Sequence, residues 1–374
     1  MGSTVAMGAA FRTACALAAL TLLAGCGAPE GEGGAPDGGD TVEDAPEVSA
    51  EAGRPEEVTS GLEVPWGLDF LPDGSALIAE RDSAEIVRVT EDGTVTDVGT
   101  VEEAVPGGEG GLLGLAVHPD FPTRPYVYTY YTSASDNRIS RWEYDPEDEA
   151  LSAEEVILDG IPSASHHNGG RIAFGPDGLL YAGTGDAGLK ESSQDTDSLA
   201  GKILRMTPEG DPAPDNPFDD HVYSYGHRNV QGLAWDEEGD LYATEFGQDE
   251  LDEVNLIEPG GDYGWPEVEG PGGGDEYVDP LVTWSPAEAS PSGAAIAGGS
   301  LWVAALRGER LWEVPLTGDG GVGEPVEHHR GEYGRLRTVV ATPDGGGLWS
   351  TTSNRDDYGS PSEGDDRVLR IPLD

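Results

Sequence analysis

Two adjacent histidines, His166 and His167, stand in the segment SASHHNGGRIAFGPDGLLYAGTGDAG, which begins at Ser163. A neutral imidazole can take a proton near neutral pH, so either side chain could serve as a general base. Neighbouring side chains on an extended segment point in opposite directions, which predicts that at most one of them faces a shared pocket. The alternative is one surface histidine and one packed histidine without a catalytic role. The seven histidines of the chain show no HExxH or comparable metal-binding spacing.

A second group of candidate residues is basic. Arg228 lies with Asn229 and Gln231 in YGHRNVQGLAW, and GRLRTV contains Arg335 and Arg337. Residues two positions apart on a strand share a face, so the last two guanidinium groups should lie side by side. Arginine binds carboxylates through paired hydrogen bonds, and the group therefore indicates a polyanionic ligand. Pairing with the abundant acidic side chains is the alternative.

An acidic segment, EFGQDELDEVNLIEPGGDYGWP, forms a third candidate. Its carboxylates, together with loop carbonyl groups, are the hard oxygen ligands that Ca²⁺ prefers. The acidic residues concerned are Asp249, Glu250, Asp252 and Glu253. In so acidic a chain, a solvated loop without a metal is the alternative interpretation.

The opening segment also contains GTGDAG, residues 183–188, which matches the GxGxxG pattern of dinucleotide-binding loops. Such a loop needs a following helix whose N-terminus receives the pyrophosphate. The next residues, LKESSQDTDSLAG, have no amphipathic stripe. We therefore interpret GTGDAG as part of a repeated scaffold.

The scaffold that must position these groups is a phrase that occurs six times. Each copy has a small residue, an apolar step, a turn of the Pro-Asp-Gly type and a strand, and most copies are followed by a further strand-like run. The copies begin at Trp66, Leu113, Gly170, Gln231, Ser292 and Arg337. Strand-built repeats of about 45–60 residues are typical of propeller blades. The sequence therefore predicts an all-β fold, a six-bladed β-propeller, over residues 58–374.

The first 57 residues have a different composition. Arg12 precedes an apolar run, ACALAALTLLAG, that is too short to span a bilayer, and LLAGC resembles the lipobox of bacterial lipoproteins. This predicts a signal peptide over 1–26 and an exported protein anchored by lipid at Cys26 to the outer face of the cell membrane. An ordinary cleaved signal is the alternative. Residues 27–57 are rich in Gly, Pro and acids, which predicts a disordered tether.

Charge and cysteine content limit the partners. The net charge is −52, which argues against nucleic acid as a partner. Both cysteines, Cys15 and Cys26, lie in the predicted signal segment. The mature domain would then have no disulfide, no thiolate chemistry and no CxxCH haem attachment. Electrons from any redox reaction are therefore expected to pass to an external acceptor.

Five stretches together resemble one protein family. They are GLLGLAVHPDF, HHNGGRIAFGPDG, GHRNVQGLAW, DEVNLI followed by GGDYGWP, and GRLRTV. In this order they are similar to the soluble glucose/sorbosone dehydrogenases that depend on pyrroloquinoline quinone (PQQ), which are six-bladed propellers and include aldose sugar dehydrogenases. The resemblance covers nearly all of residues 58–374.

The resemblance implies functions for single residues around PQQ. His167 stands at the position of the family's catalytic base, and Arg228 at that of the arginine beside the reactive quinone carbonyl. The remaining predicted cofactor-binding residues are Asn229 and Gln231 in the same segment, Arg335 and Arg337 at the PQQ carboxylates, and Arg307 where the family often has a PQQ-binding lysine.

The resemblance also implies two calcium sites. The carbonyl groups of Gly247 and Gln248 correspond to ligands of a catalytic Ca²⁺ that polarises the quinone carbonyl. Glu253 and the carbonyl of Tyr263 correspond to ligands of a structural Ca²⁺. Gln248 stands where the glucose dehydrogenases have a proline, so this position keeps a carbonyl and loses rigidity.

Two further departures concern the substrate. His166 replaces an aspartate of the glucose dehydrogenases, and Glu109 replaces a glutamine near the substrate. The predicted function is therefore PQQ- and calcium-dependent oxidation of an aldose-type sugar to its lactone, without a commitment to glucose. The alternatives are a calcium-dependent propeller lactonase or hydrolase, which would need side-chain carboxylates in the central channel, and a non-catalytic sugar-binding propeller lipoprotein.

Overall fold

The computed structural model describes residues 52–318 and 320–373, which form 24 strands in six four-stranded antiparallel sheets. Strand β1 (Glu56–Ser60) belongs to the sixth sheet. The first sheet contains β2 (Pro65–Phe70), β3 (Ala76–Glu80), β4 (Glu85–Val89) and β5 (Val95–Thr100). The second contains β6 (Leu112–Val117), β7 (Tyr126–Thr132), β8 (Asn137–Asp145) and β9 (Ala150–Ile161). The third contains β10 (Ile172–Phe174), β11 (Leu180–Gly183), β12 (Lys202–Met206) and β13 (Val222–Tyr225).

The other three sheets repeat this meander. The fourth contains β14 (Val230–Trp235), β15 (Leu241–Glu245), β16 (Asp252–Ile257) and β17 (Val282–Trp284). The fifth contains β18 (Pro291–Ala297), β19 (Ser300–Ala305), β20 (Arg310–Pro315) and β21 (Val326–His328). The sixth contains β22 (Leu336–Ala341), β23 (Gly347–Thr352) and β24 (Arg367–Pro372), with β1 beside β24.

The first strands of the sheets form the inner wall of a ring. Contacts join β2 to β6, β6 to β10, β14 to β18, β18 to β22 and β22 back to β2, while β11 contacts β14. The fold is therefore a six-bladed β-propeller, as the repeats predict, and all six repeated phrases fall at or next to a first strand. The inner strands pack so closely that a Cβ on Gly67 would lie 2.6 Å from the backbone nitrogen of Leu115.

The Pro-Asp-Gly turns explain why the first two strands of a blade form a hairpin. In the first sheet, Oδ1 of Asp73 accepts a hydrogen bond from the Ser75 N–H at 3.0 Å, and Gly74 takes a φ of 88°. In the third sheet, Oδ1 of Asp177 does the same for Leu179, again at 3.0 Å. Proline presets the first turn angle, aspartate accepts the N–H two residues on, and glycine tolerates the positive φ.

Apolar side chains fill the space between neighbouring blades. The largest fully buried side chains include Trp66, Trp302, Tyr128 and Tyr130. Each large side chain of this kind stabilises the fold by about 1.5–3 kcal/mol relative to exposure. This packing makes the inner strands a rigid frame for the groups that face the central channel.

The ring closes through β1, which pairs with β24 from Glu56 to Ser60. An isolated bridge also joins Ala52 to Leu373, and the Gly53 N–H donates to the Pro372 carbonyl at 2.8 Å. The predicted tether over 27–57 is therefore too long at its C-terminal end, since residues 52–57 pair with the last strand. Composition did not reveal this pairing because a short edge strand needs few apolar side chains.

The predicted signal peptide and lipid-anchored Cys26 lie outside the described residues, as does the tether up to residue 51. Within 52–318 and 320–373, no helix has the length and apolarity needed to cross a membrane. The same ranges contain one short 3-10 helix, Lys190–Ser193, and no α-helix. This 3-10 helix follows the GTGDAG segment. The α-helix that a dinucleotide-binding loop requires therefore does not occur at this position, as the sequence predicts.

Candidate active site

A cavity of about 390 Å³ opens beside the inner strands of the propeller. Four arginines and one glutamate line it together with aromatic, apolar and hydroxyl side chains. The lining residues are Trp66, Arg81, Glu109, Gln231, Phe246, Ser290, Leu306, Arg307, Arg335, Arg337 and Tyr358. Four of the predicted cofactor-binding residues, Gln231, Arg307, Arg335 and Arg337, are among them. In a chain of net charge −52, this cavity is a local concentration of positive charge.

His167 lies next to this cavity and is paired with a buried carboxylate. Its Nδ1 is 2.7 Å from Oδ1 of Asp186, whose side chain is 2% exposed. Its backbone N–H donates to Oε2 of Glu109, which lines the cavity, at 2.9 Å. Its φ is 56°, an unfavourable angle for a residue with a side chain. Strained backbone of this kind persists where the surroundings over-determine it, and it is common at active sites.

The two histidines differ as the sequence predicts, but the physical reason is different. His166 is exposed, whereas His167 is half-buried against Asp186. The two residues do not lie on a strand, and their rings contact each other edge to face with centroids 4.4 Å apart. The difference in exposure between the two side chains therefore does not come from alternation along an extended segment. It comes from the positive φ of His167 and from the bond between its side chain and Asp186.

Asp186 is a candidate functional residue that the sequence analysis missed. It lies in GTGDAG, which was interpreted as part of the repeated scaffold. Burial alone would raise its pKa, but hydrogen bonds from His167, from the Gly188 N–H and from Nε1 of Trp265 hold the pKa below its usual range. An ionised Asp186 that accepts from Nδ1 leaves Nε2 of His167 as the proton acceptor. A signal was present, because this acid interrupts an otherwise small-residue turn.

Replacing Asp186 by asparagine is expected to lower kcat by about 10²–10⁴-fold, because an amide can hold the imidazole in the wrong tautomer. Steady-state kinetics with an aldose and a dye acceptor would measure this. Asp177→Asn is a suitable control, since Asp177 lies in a hairpin turn far along the same sheet. A normal kcat in Asp186→Asn would show that the His167–Asp186 contact does not select the tautomer.

Arg228 connects this pair to the loop after β15. Its Nη1 donates to the carbonyls of Phe246 at 3.1 Å and Gly247 at 2.6 Å, and its guanidinium lies 5.4 Å from the ring of Trp265. That ring donates to Asp186, so Arg228 and His167 contact the same small network. Burial lowers the pKa of Arg228, although nearby carboxylates partly offset this. Its buried Nε has no hydrogen-bond partner in the described part of the chain.

Arg335 and Arg337 share a face, as the sequence predicts, and both approach one buried carboxylate. Oδ2 of Asp356 is 2.8 Å from Nη2 of Arg335 and 3.5 Å from Nη2 of Arg337. The alternative interpretation, that the arginines pair with acidic side chains, is therefore correct in part. However, a single carboxylate balances only one of the two positive charges. Nη1 of Arg337 donates to Gln231 at 2.8 Å, and the buried Nε of Arg337 has no partner.

The remaining predicted PQQ-binding residues differ in their surroundings. Asn229 is fully buried; its Oδ1 accepts from the Gly169 N–H at 2.9 Å, and its Nδ2 has no partner. Gln231 accepts from Arg337 and from Ser292, so its amide oxygen orients the arginine. Arg307 is exposed and lies at the edge of the cavity.

The loop predicted to hold the catalytic Ca²⁺ is organised by Glu269. Oε1 of Glu269 accepts hydrogen bonds from four consecutive backbone N–H groups, those of Gln248, Asp249, Glu250 and Leu251. These bonds restrain the loop at the position where the glucose dehydrogenases have a proline. The carbonyl of Gly247 accepts from Arg228, so a guanidinium faces one predicted ligand. Gln248 itself is exposed.

The second predicted calcium site contains a buried glutamate, Glu253, beside a buried asparagine, Asn255. Glu253 lies opposite Glu245 on the neighbouring strand, and burial together with Glu245 raises the pKa of Glu253 to about 7. Nδ2 of the fully buried Asn255 donates to Oε2 of Glu253 at 3.0 Å, and Oδ1 of Asn255 has no partner among the described residues. Tyr263 is buried nearby in the chain, with its ring stacked on His227 at 4.6 Å. Carboxylate and amide oxygens are the ligand types that a hard cation prefers. Within residues 52–318 and 320–373, however, no group of three or more His, Cys, Asp or Glu side chains is placed to hold a metal ion.

Comparison with known proteins places the chain in a family. The Glucose/Sorbosone dehydrogenase family model matches residues 62–358, and the chain belongs to this family. The solved PQQ-bound form of aldose sugar dehydrogenase from Streptomyces coelicolor is 53% identical, with a TM-score of 0.86, and the match covers 88% of this chain and 100% of that chain. Family and fold together define an oxidoreductase of the sugar dehydrogenase class.

Two curated enzymes match over shorter regions. Quinoprotein glucose dehydrogenase B from Acinetobacter calcoaceticus is 35% identical over 249 residues, which are 57% of this chain and 52% of that enzyme. An aldose sugar dehydrogenase from Escherichia coli is 29% identical over 220 residues, 55% of this chain and 59% of the enzyme. The matches span little more than half of the length of both enzymes.

Proposed function

We propose that this protein is a PQQ-dependent dehydrogenase that oxidises the C1 hydroxyl of an aldose to the lactone with the help of Ca²⁺. One observation carries the proposal. Within residues 52–318 and 320–373, three buried nitrogen donors without partners belong to Arg228, Asn229 and Arg337, which were all predicted to bind PQQ. Buried donors are rarely left unpaired, so a ligand with several acceptor oxygens is the natural partner. PQQ, a planar tricarboxylate quinone, has this chemistry.

The chain's own residues supply the proton chemistry. His167 takes the hydroxyl proton on Nε2 while Asp186 accepts the hydrogen bond from Nδ1, which stabilises the imidazolium that forms. A bound quinone would accept a hydride, which carries two electrons and one proton, from C1 of the sugar, and the hydroxyl proton of the sugar would pass to His167. Arg228 provides a positive charge where negative charge develops on the quinone oxygen.

Calcium is proposed at both predicted sites. The carbonyls of Gly247 and Gln248 would hold the catalytic ion, and this ion would act as a Lewis acid. The Gly247 carbonyl would then bind the ion and accept the hydrogen bond from Arg228 at the same time. Glu253 and the Tyr263 carbonyl would hold the structural ion, and the unpaired oxygen of Asn255 supports this second site. Glu269 contributes by fixing the loop that carries the first pair of ligands.

The two alternative functions are less consistent with the site. A calcium-dependent lactonase would use side-chain carboxylates converging in the channel, whereas four arginines and one glutamate line this cavity. A decayed, non-catalytic binding protein would not need the His167–Asp186 pair. Glu109 at the cavity wall, where glucose dehydrogenases have glutamine, supports an aldose other than glucose as the preferred sugar.

Reconstitution tests this proposal. Adding PQQ and Ca²⁺ to the purified protein is expected to produce quinone absorbance and dye reduction with aldoses, and neither component should suffice alone. One control reaction omits the sugar, and a second control reaction contains a lactone in place of the sugar. Hydrolysis of the lactone without dye reduction by aldoses would instead support the hydrolase. Binding of sugar without either reaction would support the non-catalytic alternative.

We also propose that the protein is exported, lipid-anchored at Cys26 on the outer face of the membrane, and passes electrons to an external acceptor. Expression in a bacterial host with a radiolabelled fatty acid is expected to label the wild type and leave Cys26→Ser unlabelled. Cys15→Ser is the matched control and should remain labelled. Equal labelling of the wild type and Cys26→Ser would exclude this anchor.

A further inference from the structure

Arg171, which immediately precedes β10, extends across the central channel. Its Nε donates to the carbonyl of Gln231 at 2.8 Å, and its Nη2 donates to Oγ1 of Thr338 at 2.9 Å. The guanidinium also lies 4.3 Å from the ring centroid of Trp66. These partners belong to the fourth, sixth and first sheets, while Arg171 belongs to the third. A side chain that contacts blades on opposite sides of the ring must lie near its axis.

The charge of this guanidinium is not balanced by a neighbouring acid. Arg171 is only 7% exposed, and no carboxylate oxygen within residues 52–318 and 320–373 lies within 4.0 Å of it. Arg337 lies close by, 5.7 Å from the same Trp66 ring. Burial and the charge of Arg337 lower the pKa of Arg171 to about 9, so it remains protonated at neutral pH. A buried charge without an acidic partner is unfavourable.

The position of Arg171 relates it to the candidate active site. Arg171 contacts two residues that line the 390 Å³ cavity, Trp66 and Gln231. A third lining residue, Arg337, lies near the same Trp66 ring as Arg171. On the other side, Arg171 lines a second cavity of about 260 Å³ among the inner strands. Arg171 does not line the first cavity but lies behind Trp66 and Gln231, which form part of its wall. It therefore lies between the two cavities and would not contact a ligand in the first cavity directly.

We propose that Arg171 is a positioning residue for a planar polycarboxylate in the 390 Å³ cavity: its charge, which no neighbouring acid of the described residues balances, attracts the ligand through the wall formed by Trp66 and Gln231. This inference rests on the proposed function, since it requires a polyanion in that cavity. It adds a fifth cation to the four arginines of the lining. Low-dielectric surroundings make such an interaction stronger than it would be in water.

Two kinds of variant separate charge from shape. Arg171→Gln and Arg171→Met remove the charge, and Arg171→Lys keeps it without the fork that reaches both Gln231 and Thr338. The dissociation constant of PQQ, measured by absorbance titration in saturating Ca²⁺, is expected to rise about tenfold or more in the neutral variants and less than about threefold in Arg171→Lys. Circular dichroism verifies that each variant is folded.

Arg205→Met serves as the matched control. Arg205 lies on β12 of the same sheet and pairs with Asp177 at 2.9 Å, away from the cavity, so its removal should leave PQQ affinity unchanged. If Arg171→Lys loses as much affinity as the neutral variants, or they lose none, Arg171 is only a structural link between blades. Loss of folding in both neutral variants but not in Arg171→Lys would also overturn the proposal, because the charge would then serve the fold. Failure of the wild type to bind PQQ would instead contradict the proposed function.

Discussion

Replacement of His167 by glutamine is expected to lower kcat by about 10²–10⁴-fold, the usual contribution of a positioned general base, while PQQ still binds. Glutamine can donate to Asp186 as the imidazole does, but it cannot take the hydroxyl proton of the sugar. Stopped-flow or steady-state dye reduction would measure the rate, and quinone absorbance would confirm that the cofactor is bound.

His166→Gln is the matched control for this prediction. The ring of His166 contacts that of His167 but is exposed and has no buried carboxylate partner, so its replacement should mainly change the preference among sugars. Only a neutral imidazole accepts the proton, so the large loss of kcat should appear in His167→Gln and not in His166→Gln. An inactive His166→Gln beside a fully active His167→Gln would mean that the base has been assigned to the wrong histidine.

Removal of both Arg335 and Arg337 should have the second large effect. In Arg335→Ala with Arg337→Ala, the dissociation constant of PQQ is expected to rise on the order of 10²–10⁴-fold, since each arginine–carboxylate bond contributes about 1.5–3 kcal/mol. Calcium binding, measured by isothermal titration without PQQ, should change much less. Unchanged PQQ affinity would remove the argument for a polyanion site.

The structure shows how this experiment must be controlled. Both arginines approach the buried Asp356, so the double variant leaves that carboxylate without a cation and could lower stability for this reason alone. Adding Asp356→Asn to the double variant removes the unpaired charge. The triple variant should recover thermal stability but not PQQ affinity. Recovery of both would attribute the loss to folding.

The sequence by itself determined the architecture and the types of side chain at the site. Pro-Asp-Gly turns and strand periodicity are local, because the turn at Asp73 is stabilised by bonds within three residues, and six repeats of such a unit can close only as a ring of blades. His167, Arg228 and Arg337 were identified from their side-chain chemistry and from the resemblance to the sugar dehydrogenase family. Even the glycine pattern of GTGDAG could be assigned to the repeated scaffold, because the residues after it lack the amphipathic stripe of a helix.

Only the tertiary structure decided which of these groups act together. Asp186 bonds to His167 across 19 positions, Asp356 to Arg335 across 21, and Arg171 to Thr338 across 167. The pairing of residues 52–57 with the last strand is of the same kind. Such contacts depend on the radius of the ring and on how its blades meet at the axis. No local pattern encodes these pairings, because the partners are separated in sequence and come together only when the loops and blades pack.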